Sequence, residues 1–429
     1  MADRGVNARD VARQVLRRVE QGEAYATLAL SGALGRSRLS PADRGLATEI
    51  VYGVLRHRTR LDRALAAHAA RGLGGLSAPA KIALRVAAYQ ILLLRVPAHA
   101  AIDDAVEAVK RTAGTRVGGF ANAILRRVAT EGEPRPPAGL LERLEQIHSL
   151  PAWLARELVA AVGEGEAEAA AEAMNRPPPV ALRVNLRRAT RAEVVARLTA
   201  ERPSATVEVS PLAEEALLVR GGGALDDLAL FQEGLVTAQD VAAQLVGRMC
   251  GPAERILDAC AGVGGKSTHL LELGASSVDA ADVSRRKLDL AEDAARRLGL
   301  SGLRTVEVDL TRPGTALAAE YDRVLLDAPC SGLGVLRRHP EGKWRRRPEE
   351  IGELAALQTR LLDALAPLVR PGGALIYSVC TFTAVEGPDQ VARFLDGHPD
   401  FARDGDDLRT WPHRHDTDGF YAARMVRRA

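Results

Sequence analysis

The sequence predicts a multidomain chain: an all-α N-terminal domain, a small α/β insertion, and an α/β doubly wound domain built on a parallel sheet. Three observations carry this. Over residues 7–130 apolar side chains recur at three- and four-residue spacing, the period of a helix with one buried face. From about residue 235 onward, short apolar runs of strand length alternate with helical patterns, as strands joined by crossover helices do. Between these regions the proline-rich breaks Gly132-Glu133-Pro134-Arg135-Pro136-Pro137 and Asn175-Arg176-Pro177-Pro178-Pro179 stop any regular element. The expected domains are 1–131, 138–234 and 235–429, consistent with a 429-residue chain too long for one typical domain.

In the first region Val11, Ala12, Val15, Leu16 and Val19 mark one helix, and Leu46, Ile50, Val51, Val54 and Leu55 mark another. The second begins at Ser40-Pro41-Ala42-Asp43, with a capping serine and a proline in the first turn. Further helices are expected over 80–94, 101–111, 118–128 and 152–174. Arg56, Arg58, Arg60, Arg63, Arg126 and Arg127 fall along these helices, either as a solvated face or as an RNA-facing one. In the insertion, strands are expected over 180–185, 207–209 and 216–219.

Composition bounds the function. The chain is 47% hydrophobic and 26% charged, ordinary for a globular protein with ample core. Its net charge of +3 permits nucleic-acid binding without demanding it, so local clustering matters more. Four cysteines in a chain this long make no disulfide framework, and none has the CxxC spacing of a zinc site, so no metal is expected. The N-terminus has no signal-peptide pattern and the most apolar stretch is interrupted by Arg95 and Pro97, so a cytoplasmic protein without a membrane span is expected.

The doubly wound region opens with a strand, Arg255-Ile256-Leu257-Asp258, and a glycine turn, Cys260-Ala261-Gly262-Val263-Gly264-Gly265-Lys266, leading into a helix. Glycines there let backbone N–H groups approach a ligand at a helix N-terminus. The turn nearly spells a phosphate-binding loop, but Cys260 stands where that loop needs its first glycine. Two further strands end in Asp282 and Asp309. A carboxylate at the first position can accept both hydroxyls of a ribose, and one at the second an adenine amino group. Such a pair suits an adenosine cofactor smaller than a dinucleotide, and S-adenosylmethionine fits. The competing readings are a helix cap for Asp282 and a turn residue for Asp309.

Two more strands end in cysteine motifs, Asp327-Ala328-Pro329-Cys330-Ser331-Gly332 and Ser378-Val379-Cys380-Thr381. Neighbouring parallel strands put such residues side by side at their carboxyl ends, where open α/β sheets bind ligands. A thiol pair beside an aspartate suits covalent chemistry on an electron-poor ring; two buried structural thiols are the alternative. Cys250 lies outside both motifs and reads as structural. Downstream, Arg337, Arg338, His339, Lys343, Trp344, Arg345, Arg346 and Arg347 combine cations with a stacking surface, the composition of an RNA channel or of a solvated charge run.

Together the turn through Gly264-Gly265-Lys266 and the two cysteine motifs resemble the RNA 5-methylcytosine methyltransferases. Thr237-Ala238-Gln239-Asp240, Arg337-Arg338-His339-Pro340 with Lys343-Trp344, and Asp418-Gly419-Phe420-Tyr421 are similar to the branch acting on small-subunit ribosomal RNA. The N-terminal helices resemble the antitermination factor NusB. The resemblance implies a NusB-like RNA-binding domain, a Rossmann-like methyltransferase domain, S-adenosylmethionine as cofactor, and 16S ribosomal RNA, free or in an assembling particle, as partner. It implies Cys380 as nucleophile on cytosine C6, Asp327 at N3, and Cys330 as helper in proton loss and product release. It places Cys260, Ala261, Gly262, Val263, Gly264, Gly265, Lys266, Asp282, Asp309 and Asp327 around the cofactor. The sequence departs from the family in two places: Val263 replaces the usual proline of the turn, and Gly387 the usual asparagine after Glu386. The same chemistry on transfer RNA, or a noncatalytic RNA-binding factor, are the alternatives.

Overall fold

The computed structural model describes residues 7–70, 72–94, 96–312, 317 and 320–429. They form two compact units. One holds the chain up to Arg176 together with Leu336–Arg346; the other holds Pro177–Val335 and Arg347–Ala429.

The first unit is helical. Helix Ala8–Glu20 starts in a capping box, in which Asn7 accepts from the backbone of Asp10 and Asp10 accepts from that of Asn7. Helix Pro41–Arg56 starts at the expected Ser40 cap. Their apolar faces close on Leu16, Ile50, Val54, Leu84, Ile124 and Leu125. The chain crosses itself tightly here: a Cβ on Gly53 would lie 1.9 Å from the Tyr89 ring of helix Ala78–Leu92. The stretch expected as one helix over 152–174 is two, Ala152–Val162 and Glu164–Asn175, because Gly163 sits at φ 78°, outside the helical region. By their contacts these two helices, with Leu140–Gln146, group with the helical unit. Of the arginines left open between solvent and RNA, Arg56 is buried and donates to the Arg337 carbonyl. Arg60 and Arg63 hold the linker at Glu133 and Pro134, whereas Arg126 and Arg127 are exposed.

The second unit contains two sheets. Strands β1 (Val180–Val184), β2 (Thr206–Val209), β3 (Ala216–Arg220) and β4 (Val236–Ala238) form a small antiparallel sheet in the order β2-β3-β1-β4. Helix Arg191–Glu201 packs Val194 and Leu198 on it. The unanticipated β4 carries this sheet past the expected boundary at 234. The large sheet comprises β5 (Arg255–Asp258), β6 (Ser277–Asp282), β7 (Leu303–Glu307), β8 (Tyr321–Asp327), β9 (Val369–Val379), β10 (Phe401–Arg403), β11 (Leu408–Thr410) and β12 (Phe420–Arg427). Its order is β10-β12-β9-β8-β5-β6-β7, with β11 also on β12. The centre, β9-β8-β5-β6-β7, is parallel as expected, since helices Gly265–Glu272, Arg285–Leu298 and Pro348–Leu365 provide crossovers. The β10–β12 edge is antiparallel, because the chain runs from β11 back into β12 through residues 411–419, which hold only the one-turn helix Pro412–His415 and no long crossover. Among the described residues no helix is long and apolar enough to cross a membrane.

Candidate active site and cofactor cleft

Strands β8 and β9 lie side by side in parallel, with Asp327 opposite Ser378. The loops leaving their ends therefore bring the two cysteine motifs together. The sulfurs of Cys330 and Cys380 are 3.4 Å apart, and both are free thiols. Asp327 is held on both oxygens: Ser378 Oγ donates to Oδ1 at 2.6 Å and Lys266 Nζ to Oδ2 at 2.6 Å. Burial opposes the charge of Lys266, but the adjacent Asp327 holds its ammonium above the ordinary lysine value. The hydrogen bond with Cys380, and then burial, push the Cys330 thiol well above the usual range, so it keeps its proton at neutral pH.

A residue that sequence reasoning passed over frames both loops. Glu386 is fully buried and accepts from Ser331 N (2.8 Å), Ser331 Oγ (2.5 Å), Thr383 Oγ1 (2.9 Å) and Gln358 Nε2 (3.2 Å). Ser331 Oγ also meets Thr381 Oγ1 at 2.8 Å, so each cysteine's neighbour is tied to the other loop. The available signal was a carboxylate six residues past the second cysteine, in a segment otherwise short of charge. Gly334 allows the closest approach: its N–H donates to the Cys380 carbonyl at 2.9 Å, and a Cβ there would lie 1.8 Å from the Gly419 oxygen.

Beside this centre opens a cleft of about 350 Å³. Cys260, Gly262, Asp282, Asp309 and Asp327 supply its polar or close-approach wall, and Val283, Val308, Leu310 and Leu357 its apolar one. Asp282 is not the cap of the following helix, whose N-cap is Ser284. Its Oδ2 accepts from Gly262 N at 3.0 Å and its Oδ1 from Ser284 N at 2.9 Å, tying the glycine turn to the end of β6. Asp309 is both rim and turn residue; hydrogen bonds from Thr311 Oγ1 (2.6 Å) and Thr311 N (3.0 Å) hold its carboxyl below the usual range. Ala261, Val263, Gly264 and Gly265 shape the turn without lining the cleft, and Lys266 points to Asp327. Gly264 sits at φ 77°, and a Cβ there would lie 2.5 Å from that of Ala291. Beneath the turn, burial pushes the Asp258 carboxyl up to about 6, and burial with Asp258 nearby pushes the Cys260 thiol up to about 12. Cys250 is wholly buried, its thiol likewise pushed up to about 12 by burial, as a structural cysteine would be.

The basic cluster expected to face RNA is largely a strap inside the helical unit. Arg337 and Lys343 are buried. Lys343 Nζ donates to the carbonyls of Arg56 (3.1 Å) and His148 (3.2 Å) and to Asn175 Oδ1 (2.6 Å). Trp344 gives its indole N–H to the Leu55 carbonyl and its ring to Arg58. Arg345 donates to the Ala24 carbonyl and lies over the Tyr25 ring. Lys343 has all three ammonium protons engaged and offers RNA none, and the half-buried Trp344 and Arg345 are turned into the same unit. Arg338 and Arg346 are half-buried, and Arg347 is exposed beside Glu350.

Comparison with known proteins agrees with this geometry. Residues 250–426 match the family model of the 16S rRNA methyltransferase RsmB/F, residues 6–130 the NusB family, and residues 150–226 the RsmF/B-like ferredoxin-like domain. A probable ribosomal RNA small subunit methyltransferase B of Bacillus subtilis is 36% identical over 98% of each chain. The chain belongs to the small-subunit ribosomal RNA methyltransferases. The ribosomal RNA small subunit methyltransferase B of Vibrio cholerae is 36% identical over 92% of each chain. The crystal structure of PH0851 superposes with a TM-score of 0.80 at 27% identity, covering 98% of this chain and 99% of that one. Methyltransferases of this family use S-adenosylmethionine, and the cleft fits it. Two carboxylates at the rim offer acceptors to ribose and adenine, and the aliphatic wall between them offers a surface to a flat ring.

Proposed function

We propose that this methyltransferase modifies C5 of a cytosine in 16S ribosomal RNA through a covalent bond between Cys380 Sγ and cytosine C6. The observation that carries the reading is the Cys330–Cys380 pair, 3.4 Å apart, beside an aspartate held on both oxygens at the mouth of the cofactor cleft. Cytosine C5 is a poor nucleophile. Addition of the Cys380 thiolate to C6 breaks the C5–C6 π bond and places electron density on C5. Asp327 holds N3 and the neighbouring amino group while that density develops. Bound S-adenosylmethionine supplies a sulfonium methyl, an electrophile for C5. Cys330, which keeps its own proton, then assists proton loss and product release by donating its S–H to the departing Cys380 sulfur; the C5 proton goes to solvent water, and the electron pair of the broken C5–H bond restores the C5–C6 double bond and expels Cys380. The target base must be single-stranded, looped or flipped out, because a stacked base cannot present both faces to thiol and methyl donor.

The test is methyl transfer from labelled S-adenosylmethionine to unmodified 16S rRNA, with the product located by bisulfite sequencing. One protected cytosine is expected. Cys380→Ala loses turnover and adduct together, whereas Cys330→Ala accumulates a protein–RNA adduct that resists denaturing gels. An active Cys380→Ala enzyme reverses the two roles, and transfer to tRNA in place of 16S rRNA removes the substrate assignment.

A further inference from the structure

The small four-stranded sheet has no part in the chemistry above, yet one of its side chains reaches the cofactor turn. Arg183, on β1, has no exposed surface. All five donors of its guanidinium are used. Nε and Nη2 hold both oxygens of Glu272 (2.8 and 2.9 Å), at the far end of helix Gly265–Glu272. Nη1 donates to Gln239 Oε1 (2.6 Å) and to the Gly265 carbonyl (2.7 Å), and Nη2 donates to Thr268 Oγ1 (3.0 Å). Thr268 Oγ1 donates its own hydrogen bond to the Gly264 carbonyl at 2.8 Å. The Gln239 amide adds a longer bond to the Gly265 carbonyl at 3.3 Å. Gln239 belongs to the Thr237-Ala238-Gln239-Asp240 stretch, for which the chemistry gave no use.

We propose that Arg183 is a positioning residue for the methyl-donor site, acting through Gln239 and Thr268 on the peptides of Gly264 and Gly265. A turn with glycine at 262, 264 and 265 and valine at 263 has no dihedral fixed by a proline ring, and glycine loses the most conformational freedom on ordering. Its rigidity has to come from outside. A charged donor on the Gly265 carbonyl fixes that peptide plane and polarises it, strengthening the N–H of Lys266 on the other side. The cost of a cation near a helix N-terminus is offset by Glu272, which accepts the same guanidinium in two bonds. The small sheet thus serves cofactor binding without touching the cofactor.

The inference rests on the cleft being the S-adenosylmethionine site, and the experiment separates the two. S-adenosylhomocysteine is titrated into the full-length protein and three variants: Arg183→Lys, which keeps the charge but not the fork; Thr268→Val, isosteric and without the relay; and Arg183→Met/Glu272→Gln, with neither charge. Each variant's methyl transfer is measured alongside. Arg183→Lys should raise Kd and the KM for S-adenosylmethionine about tenfold, and Thr268→Val about threefold, these being losses on the scale of one good hydrogen bond. The kcat at saturating donor and the KM for RNA should stay within about twofold of wild type, a split that loss of folding alone would not give. Unchanged affinity in Arg183→Lys overturns the proposal. If the Arg183 variants fail to fold, unchanged affinity in Thr268→Val overturns it equally. A wild-type protein that binds no S-adenosylhomocysteine would sink the cleft assignment instead.

Discussion

Gly262 and Gly264 stand two residues apart in the cofactor turn, and the structure asks different things of them. Both have positive φ, 57° and 77°, which costs a side-chain-bearing residue about 1–2 kcal/mol. Around Gly262 a Cβ would meet nothing within 4 Å, whereas at Gly264 it would strike Ala291 of helix Arg285–Leu298. Gly262→Ala should therefore show only the conformational cost, and Gly264→Ala should add displacement of backbone against helix. We expect Gly264→Ala to weaken S-adenosylhomocysteine binding at least about tenfold more than Gly262→Ala does, on the scale of a 1–3 kcal/mol overpacking penalty. Calorimetric titration of both variants decides it; a larger loss from Gly262→Ala would mean that contact with the ligand, not packing behind the turn, sets the affinity.

At the scale of elements, legibility depended on whether the information was local. Strands β5, β8 and β9 could be read because each is a short apolar run ending in its own chemical signature, and their adjacency follows from the topology of parallel sheets. The meeting of Cys330 and Cys380 was thus implicit in the sequence. The helix start at Ser40 was equally local, set by one capping side chain. The strap was not legible. Lysine, tryptophan and successive arginines describe an RNA channel and a buried brace equally well. What distinguishes them is the set of acceptors at Leu55, Arg56, His148 and Asn175, far away in the chain. Glu386 and Arg183 escaped for the same reason, since a buried carboxylate or guanidinium is explained only by partners that folding brings to it. The break at Gly163 and the short strand β4 were missed because one helical residue or three strand residues are too few to show a period.

At the scale of the molecule, the two units should respond differently to acid. In the helical unit burial, and then Lys343, lower His57 to about 3, and burial lowers His148 as well. His57 stays neutral when folded, while the unfolded chain takes up protons near pH 6.5; the lowering of His148 acts in the same direction. Stability is therefore complete above that pH and is lost as pH falls below it, at up to about 1.4 kcal/mol per pH unit for His57. In the second unit burial lowers His269 to about 4, with the same sign, but Asp258 opposes it. Its folded value of about 6 lies above the unfolded one, so the fold binds a proton first and gains stability as pH falls through 6. Thermal melts at pH 7 and 5.5, with limited proteolysis to show which unit opens, should find the helical unit weakening first; equal loss from both would contradict the assignment. The strap also has a consequence in the order of synthesis. The helical unit cannot be finished when its own helices leave the ribosome, because Leu336–Arg346 is made only after most of the second unit. At about 5–20 residues per second the nascent helices wait on the order of ten seconds for Lys343 and Trp344. A chain ending at Arg176 should accordingly be poorly soluble, and a synthetic peptide of residues 336–346 should raise its melting temperature; a fragment equally stable without the peptide would show that the helices close by themselves.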